Sequence, residues 1–212
     1  MREDIFVFGA GGHAKVVLDV IEKQGLYQTV CLFDDNASLA GTHFYGYRVE
    51  GGREKLLAGS RSPALRRCIV AIGDNRARLE LAEWISRNGF ELVTAVHCSS
   101  QVARGVTLGG NTVIMAGTVI NSDATIRDSV IVNTAATVDH DCLIHSGVHI
   151  APGCHLCGGV TVGKASFLGA GTTITPGITV GSYAVIGAGS VVVKDVPDHA
   201  VAKGVPCTIQ GG

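Results

Sequence analysis

From Val96 onward the chain places an aliphatic residue at every sixth position. The series is Val96, Val102, Leu108, Ile114, Ile120, Ile126, Val132, Val138, Ile144, Ile150, Leu156, Val162, Leu168, Ile174, Val180, Ile186 and Val192, with no insertion. Four residues after each, the side chain is small or β-branched, as at Thr118, Ala124, Ala136, Cys142, Cys154, Ser166 and Thr172. Glycine often follows the aliphatic position, as at Gly109, Gly163, Gly169, Gly181 and Gly187. A period of six is neither the helical period nor that of one long strand. It predicts a coil of short strands and sharp turns, one aliphatic side chain pointing in from each, with glycine serving the turns. A sandwich of short strands would not keep phase over this many units.

Upstream the pattern changes. An apolar strand, Ile5–Phe8, runs into Gly9-Ala10-Gly11-Gly12-His13. A helix is expected over Ala14–Gln24, with Val16, Val17, Val20 and Ile21 on one face and Gly25 as its stop. A strand over Val30–Phe33 ends in Asp34-Asp35. A further strand, Cys68–Ile72, ends in Gly73-Asp74-Asn75, and a helix follows over Arg76–Arg87. The strand Glu91–Val93 leads into the repeat. This is a β-turn-α-β pattern with glycines at its first turn and an acid about 20 residues on. Glycines there let a phosphate approach a helix N-terminus, and a strand-end acid can accept from a ribose hydroxyl. Candidate nucleotide-sugar residues are Gly11, Gly12, His13, Asp34, Asp35, Gly73, Asp74 and Asn75. The competing readings are a plain βαβ packing turn for the glycines, a capping or packing role for His13 and loop caps for the two acids. A unit of this size has one mononucleotide half, which suits a mononucleotide or nucleotide-sugar better than a dinucleotide.

Composition sharpens the division. Of 35 charged side chains, 24 lie in residues 1–95, although that is the shorter part of the 212-residue chain. Two domains are expected, a Rossmann-like 1–95 and a solenoid 96–212. The chain is 46% hydrophobic but only 5% aromatic, so its core is aliphatic. A net charge of −1 with no basic block argues against nucleic acid. No apolar run is long enough to span a bilayer, and the acidic N-terminus does not read as a secretory signal. Seven scattered cysteines suggest free thiols in a reducing cytoplasm.

A small Rossmann-like half ahead of a hexapeptide solenoid resembles the bacterial sugar acetyltransferases of the sialic acid O-acetyltransferase and UDP-4-amino-sugar N-acetyltransferase (NeuD/PglD-like) type. The motifs that carry the resemblance are Gly9-Ala10-Gly11-Gly12-His13, Asp34-Asp35, Ile72-Gly73-Asp74-Asn75, Asn133-Thr134, Asp139-His140-Asp141 and His149, and it extends from about Ile5 to Ile209. It implies a left-handed parallel β-helix in which three hexads make one triangular coil, so that residues 18 apart stack. Gly204-Val205-Pro206 looks like the family's exit from the helix. The resemblance further implies a homotrimer, a UDP-sugar in the first domain and acetyl-CoA held between neighbouring solenoids.

By the same resemblance His140 is the general base, Asn133 lies near the reaction, His149 lies near the acetyl group, and Gly158 sits one coil beyond His140. Gly169 and Gly187 are expected to join His149 and Gly158 in holding acetyl-CoA. The chemistry is consistent with these residue types. An imidazole accepts a proton at neutral pH, and a carboxylate can orient its other nitrogen. Asp139 and Asp141 both qualify, with Asp141 favoured by family match. Adjacent residues of a strand point oppositely, so that contact requires a turn at His140. The expected reaction is direct acetyl transfer to the amine of a UDP-4-amino-sugar of the UDP-2-acetamido-4-amino-2,4,6-trideoxyhexose type. O-acetylation of sialic acid is the alternative within the class. A γ-carbonic-anhydrase-like metalloenzyme or a non-catalytic trimeric scaffold is the alternative outside it. No metal is expected: Cys154 occupies an inward position beside Cys157, and no His lies between His97 and His140 to complete a three-His site.

Overall fold

In the computed structural model, residues 2–59 and 66–210 are described. Met1 and residues 211–212, the outer ends of the two expected domains, lie outside them. The chain divides into two compact units, Met1–Cys98 and Ser99–Gly212.

The first unit runs β1 (Glu3–Phe8), α1 (Gly12–Gln24), β2 (Tyr27–Phe33), a hairpin of β3 (His43–Phe44) and β4 (Tyr47–Arg48), α2 (Arg53–Gly59), β5 (Arg67–Val70), α3 (Asn75–Arg87) and β6 (Glu91–Leu92). Four strands form a parallel sheet in the order β2-β1-β5-β6. Chain direction across the sheet therefore reverses between β1 and β5, which makes the crevice at their carboxyl ends a topological switch point. The core is apolar, with Phe6 and Phe33 edge to face at 5.3 Å.

Helix α1 buries Ala14, Val17, Leu18, Val20 and Ile21. Val16 was expected on that face but is 40% exposed, because it falls outside the stripe of positions 14, 17, 18 and 21. Gly25 ends α1 in the left-handed conformation, and the Asp74 side chain caps α3 through the N–H of Ala77.

The second unit is a parallel solenoid of two-residue strands. One face carries strands from Gln101–Val102 to Val191–Val192, the next from Thr107–Leu108 to Thr179–Val180. The third carries Val113–Ile114, Ile131–Val132, His149–Ile150, Phe167–Leu168 and Val185–Ile186, closed by Val201–Lys203 and Thr208–Ile209. Register advances by 18 residues per coil, as in Val138 to Leu156 to Ile174. The aliphatic positions from Ile114 to Val192 are at most 1% exposed. Each contributes about 1.5–3 kcal/mol by leaving water. At the open end Val102 remains 41% exposed, since no earlier coil covers it. Small inward residues also fill the core, and the hydroxyls of Thr118, Thr172 and Ser190 donate to backbone carbonyls at 2.7 Å.

The turns differ from expectation in one respect. From Val102 to Ile186 the left-handed residue is the third after each aliphatic position, and it need not be glycine: Asp123, Ala135, Asp141 and Tyr183 all occupy it. Glycines directly after the aliphatic position serve stacking instead. A β-carbon at Gly163 would lie 2.4 Å from the backbone N of Ser182 on the next coil.

Candidate active site

His140 lies in the turn between Thr137–Val138 and Leu143–Ile144. Asp141 takes φ +59° there, so its side chain and that of His140 do not diverge as they would in a strand. His140 Nδ1 is 2.8 Å from Asp141 Oδ2. An ionised carboxylate only accepts, so Nδ1 carries the hydrogen and Nε2 keeps a lone pair.

Asp139 does something else. Its Oδ1 accepts from the backbone N–H of His140 at 2.8 Å and from Nδ2 of Asn121, one coil earlier, at 2.9 Å. Asp139 thus fixes the turn, while Asp141 is the partner of the ring. The hydrogen bond to Asp141, reinforced by the charge of Asp139, holds the His140 pKa above the usual imidazole value. The His140 N–H and the Asn121 amide hold Asp139 below the usual carboxylate range. Both members of the pair face solvent, at 61% and 68% side-chain exposure.

Gly158 lies beside this ring, as the 18-residue spacing predicts. A β-carbon there would fall 2.6 Å from His140 Cε1 and 2.7 Å from Nε2. Glycine is what allows the imidazole to occupy its place.

Asn133 and His149 form a separate cluster. Asn133 Oδ1 accepts from the N–H of Thr134 at 2.8 Å, which aims its Nδ2 donor at His149 Nε2, 3.1 Å away. The His149 ring meets Phe167 edge to face at 5.2 Å. His149 stands on the third face, whereas His140 stands on the edge joining the other two. In a three-sided coil that edge is opposite the third face, and nine residues are half of an 18-residue turn. One chain therefore does not bring His140 and His149 together. Gly169 and Gly187 lie two and three coils beyond Asn133 in its own column, so they align with the second cluster.

The predicted nucleotide residues surround the β1/β5 crevice. Gly9, at φ +122°, permits a close crossing of the two loops, since a β-carbon would lie 2.7 Å from the Ala71 carbonyl oxygen. Above Gly11 and Gly12 the space is open to 4 Å, which leaves the N-terminus of α1 accessible. His13 neighbours Gly73, and burial, with a contribution from Arg78, lowers its pKa to about 4. The strand-end acids are structurally engaged. Asp34 accepts from the N–H groups of Ala10 and Asn36, both at 2.8 Å. Asp35 accepts from the Arg53 N–H at 3.1 Å and pairs with its guanidinium at 2.9 Å. Asp74 caps α3, and Asn75 Oδ1 accepts from Arg78 at 2.8 Å.

The zinc-like Cys154-His155-Leu156-Cys157 run does not converge. Cys154 is buried and donates to the Gly169 carbonyl at 3.1 Å, while His155 faces out beside Thr137. Among the described residues no three His, Cys, Asp or Glu side chains are grouped to hold a metal.

Comparison with known proteins now bears on this arrangement. The family model described as the PglD N-terminal domain matches residues 4–85, and the bacterial transferase hexapeptide model matches 141–176 and 159–194. PerB from Caulobacter crescentus, solved with CoA and GDP-perosamine, is 40% identical, covers 100% of this chain and 99% of its own, and superposes with a TM-score of 0.93. The chain belongs to the PglD-like family. The acetyltransferase domain of PglB from Neisseria gonorrhoeae, solved with acetyl coenzyme A, is 37% identical with a TM-score of 0.92, covering 99% of this chain and 100% of its own. The UDP-N-acetylbacillosamine N-acetyltransferase of Bacillus subtilis is 32% identical over 121 residues, and that match spans 54% of this chain and 52% of the relative. With its hexapeptide repeats, the solenoid is a left-handed parallel β-helix.

Two structurally engaged residues, one in each unit, went unread in the sequence. Asn121 was accessible by counting back 18 from Asp139. Arg78 was accessible as a charge on the stripe it shares with Leu81, Ala82 and Ile85.

Proposed function

We propose that this protein is an acetyl-CoA-dependent N-acetyltransferase that acetylates the amine of a nucleotide-linked amino-sugar, with a UDP-4-amino-sugar as the first expected substrate. The observation that carries this reading is the His140–Asp141 pair, seated over Gly158, in a chain that matches sugar N-acetyltransferases along its whole length. His140 is the general base. As the amine bonds to the thioester carbonyl carbon, Nε2 takes its proton, and Asp141 stabilises the imidazolium through Nδ1. The carbon–sulfur bond breaks, the departing thiolate recovers that proton, and His140 is again neutral. No acyl-enzyme is required.

Asn133 and His149 come from a second copy. Their place opposite the His140 edge is supported by the coil geometry, and three copies closed in a ring supply three equivalent sites. The groove between copies, lined by Gly158 on one side and Gly169 and Gly187 on the other, takes acetyl-CoA. The β1/β5 crevice, with Gly11, Gly12, His13 and the loop Gly73–Asn75, takes the nucleotide-sugar, while Asp34 and Asp35 hold its walls. Residues 1–95 and 96–212 are the sugar-binding and transferase domains. A cytoplasmic location agrees with the free cysteines, and no described helix is long and apolar enough to cross a membrane.

A GDP-linked amino-sugar is the second reading, favoured by the full-length match to PerB over the half-length match to the Bacillus relative. Thiol release from acetyl-CoA across UDP-, GDP- and dTDP-linked amino-sugars and sialic acids decides the matter. Release with a UDP-4-amino-sugar supports the first reading, and release with only the GDP-sugar the second. Release with sialic acid alone, or with no amino-sugar, overturns both.

A further inference from the structure

We infer that Arg78 is a positioning residue for the nucleotide-sugar's diphosphate: its buried guanidinium draws in the carbonyls of the loop after β5 and thereby turns that loop's N–H groups toward the crevice. The inference rests on the crevice between β1 and β5 being the nucleotide-sugar site.

Arg78 is 0% exposed, on the stripe of α3 that also buries Leu81, Ala82 and Ile85. An apolar side chain would satisfy packing at this point, so the guanidinium serves the loop rather than the core. Nη1 donates to the carbonyls of Ile72 at 3.1 Å and Gly73 at 3.0 Å, and Nη2 donates to Asn75 Oδ1 at 2.8 Å. Three bonds from one rigid, planar group hold three residues between Ile72 and Asn75. In a trans peptide the C=O and the following N–H point in opposite directions. With the carbonyls of Ile72 and Gly73 drawn to Arg78, the N–H groups of Gly73 and Asp74 point away from it. Away from the buried guanidinium means toward the opening beside His13, whose β-carbon would be 3.8 Å from one built on Gly73.

Electrostatics work in the same direction. Burial lowers the Arg78 pKa to about 10, so the group stays charged at neutral pH. A fixed cation behind two outward N–H groups favours an anion in front of them. Arg78 does not touch the ligand; it acts through the loop.

The test compares Arg78→Gln and Arg78→Lys with the wild type in the full chain. The ligands are UDP and GDP, uridine and guanosine as millimolar competitors, and acetyl-CoA. For the Gln variant the expected result is weaker binding of the preferred nucleoside diphosphate by roughly tenfold or more, the usual scale for a lost charged hydrogen-bond donor. Nucleoside competition and acetyl-CoA binding stay within about twofold, KM for the nucleotide-sugar rises, and kcat holds. The Lys variant recovers part of the loss. Unchanged diphosphate binding in the Gln variant overturns the inference, and so does equal loss for nucleoside and diphosphate. Should the Gln variant not fold, the same comparison on the Lys variant decides: a loss selective for diphosphate supports the inference, and equal losses overturn it. A wild type that binds no nucleoside diphosphate removes the site itself, a failure distinguishable from that of Arg78.

Discussion

Each unit contains a histidine with a displaced pKa, and the two are shifted in opposite directions. His13, beside the glycine turn of the first unit, is pushed down to about 4 by burial and by Arg78. His140, on a solvent-facing edge of the solenoid, is pushed up by the carboxylates of Asp141 and Asp139. At neutral pH the first is a neutral wall of the β1/β5 crevice, while the second has a carboxylate partner for a proton. Environment separates the roles, since the side chain is the same. The comparison also shows how each fold shapes a site. In the solenoid one turn recurs every six residues, and His140 differs from its neighbours only in what its turn carries. In the α/β unit the crevice arises where two unlike loops meet at a reversal of strand order.

The largest expected effect tests the solenoid half of the comparison. His140→Ala should lower kcat by about 10²–10⁴, the usual worth of a general base, and leave thermal unfolding unchanged because the side chain is exposed. Near-wild-type turnover would take His140 out of the mechanism.

The next concerns His13. Its folded pKa lies below its unfolded value near 6.5, so the unfolded chain binds the proton first. The contribution is fully present above pH 6.5 and is lost as pH falls toward about 4. His13→Gln should therefore lose less stability than the wild type between pH 7 and pH 4.5, by about 1–3 kcal/mol in denaturant titrations. Parallel losses in the two proteins would show that His13 is not held neutral.

The smallest effect isolates the carboxylate of Asp141. Asn tolerates the left-handed turn, so Asp141→Asn keeps the backbone and removes the charge. The His140 pKa should fall back, and the acid limb of the kcat/KM profile should move to lower pH together with a reduced maximum. An unmoved limb would mean that Asp141 does not set the titration of His140.

Much of this molecule was legible because a solenoid turns sequence distance into spatial distance. Counting by 18, the coil length that the family resemblance implies, placed Gly158 beside His140, and it would have placed Asn121 beside Asp139. The same arithmetic would have given the half-turn between His140 and His149. Less legible was the division of labour between Asp139 and Asp141, which flank His140 symmetrically in sequence. The left-handed φ at Asp141 breaks that symmetry. In the first unit the glycine turns and strand-end acids were visible, but not that Asp34 would brace Ala10 or Asp35 would hold Arg53. Those bonds join residues 24 and 18 apart along an aperiodic chain.

The repeat alone determined a solenoid and its aliphatic core, because each hexad buries an Ile, Leu or Val against like neighbours; the 18-residue stacking was what the family resemblance implied. The tertiary structure decided which side chains share a site: the turn that presents His140 to Asp141, the contact of Asn133 with His149, and the hold of Arg78 on the segment after β5. Such contacts depend on backbone dihedrals and on the meeting of segments distant in sequence, and hydrophobic periodicity encodes neither.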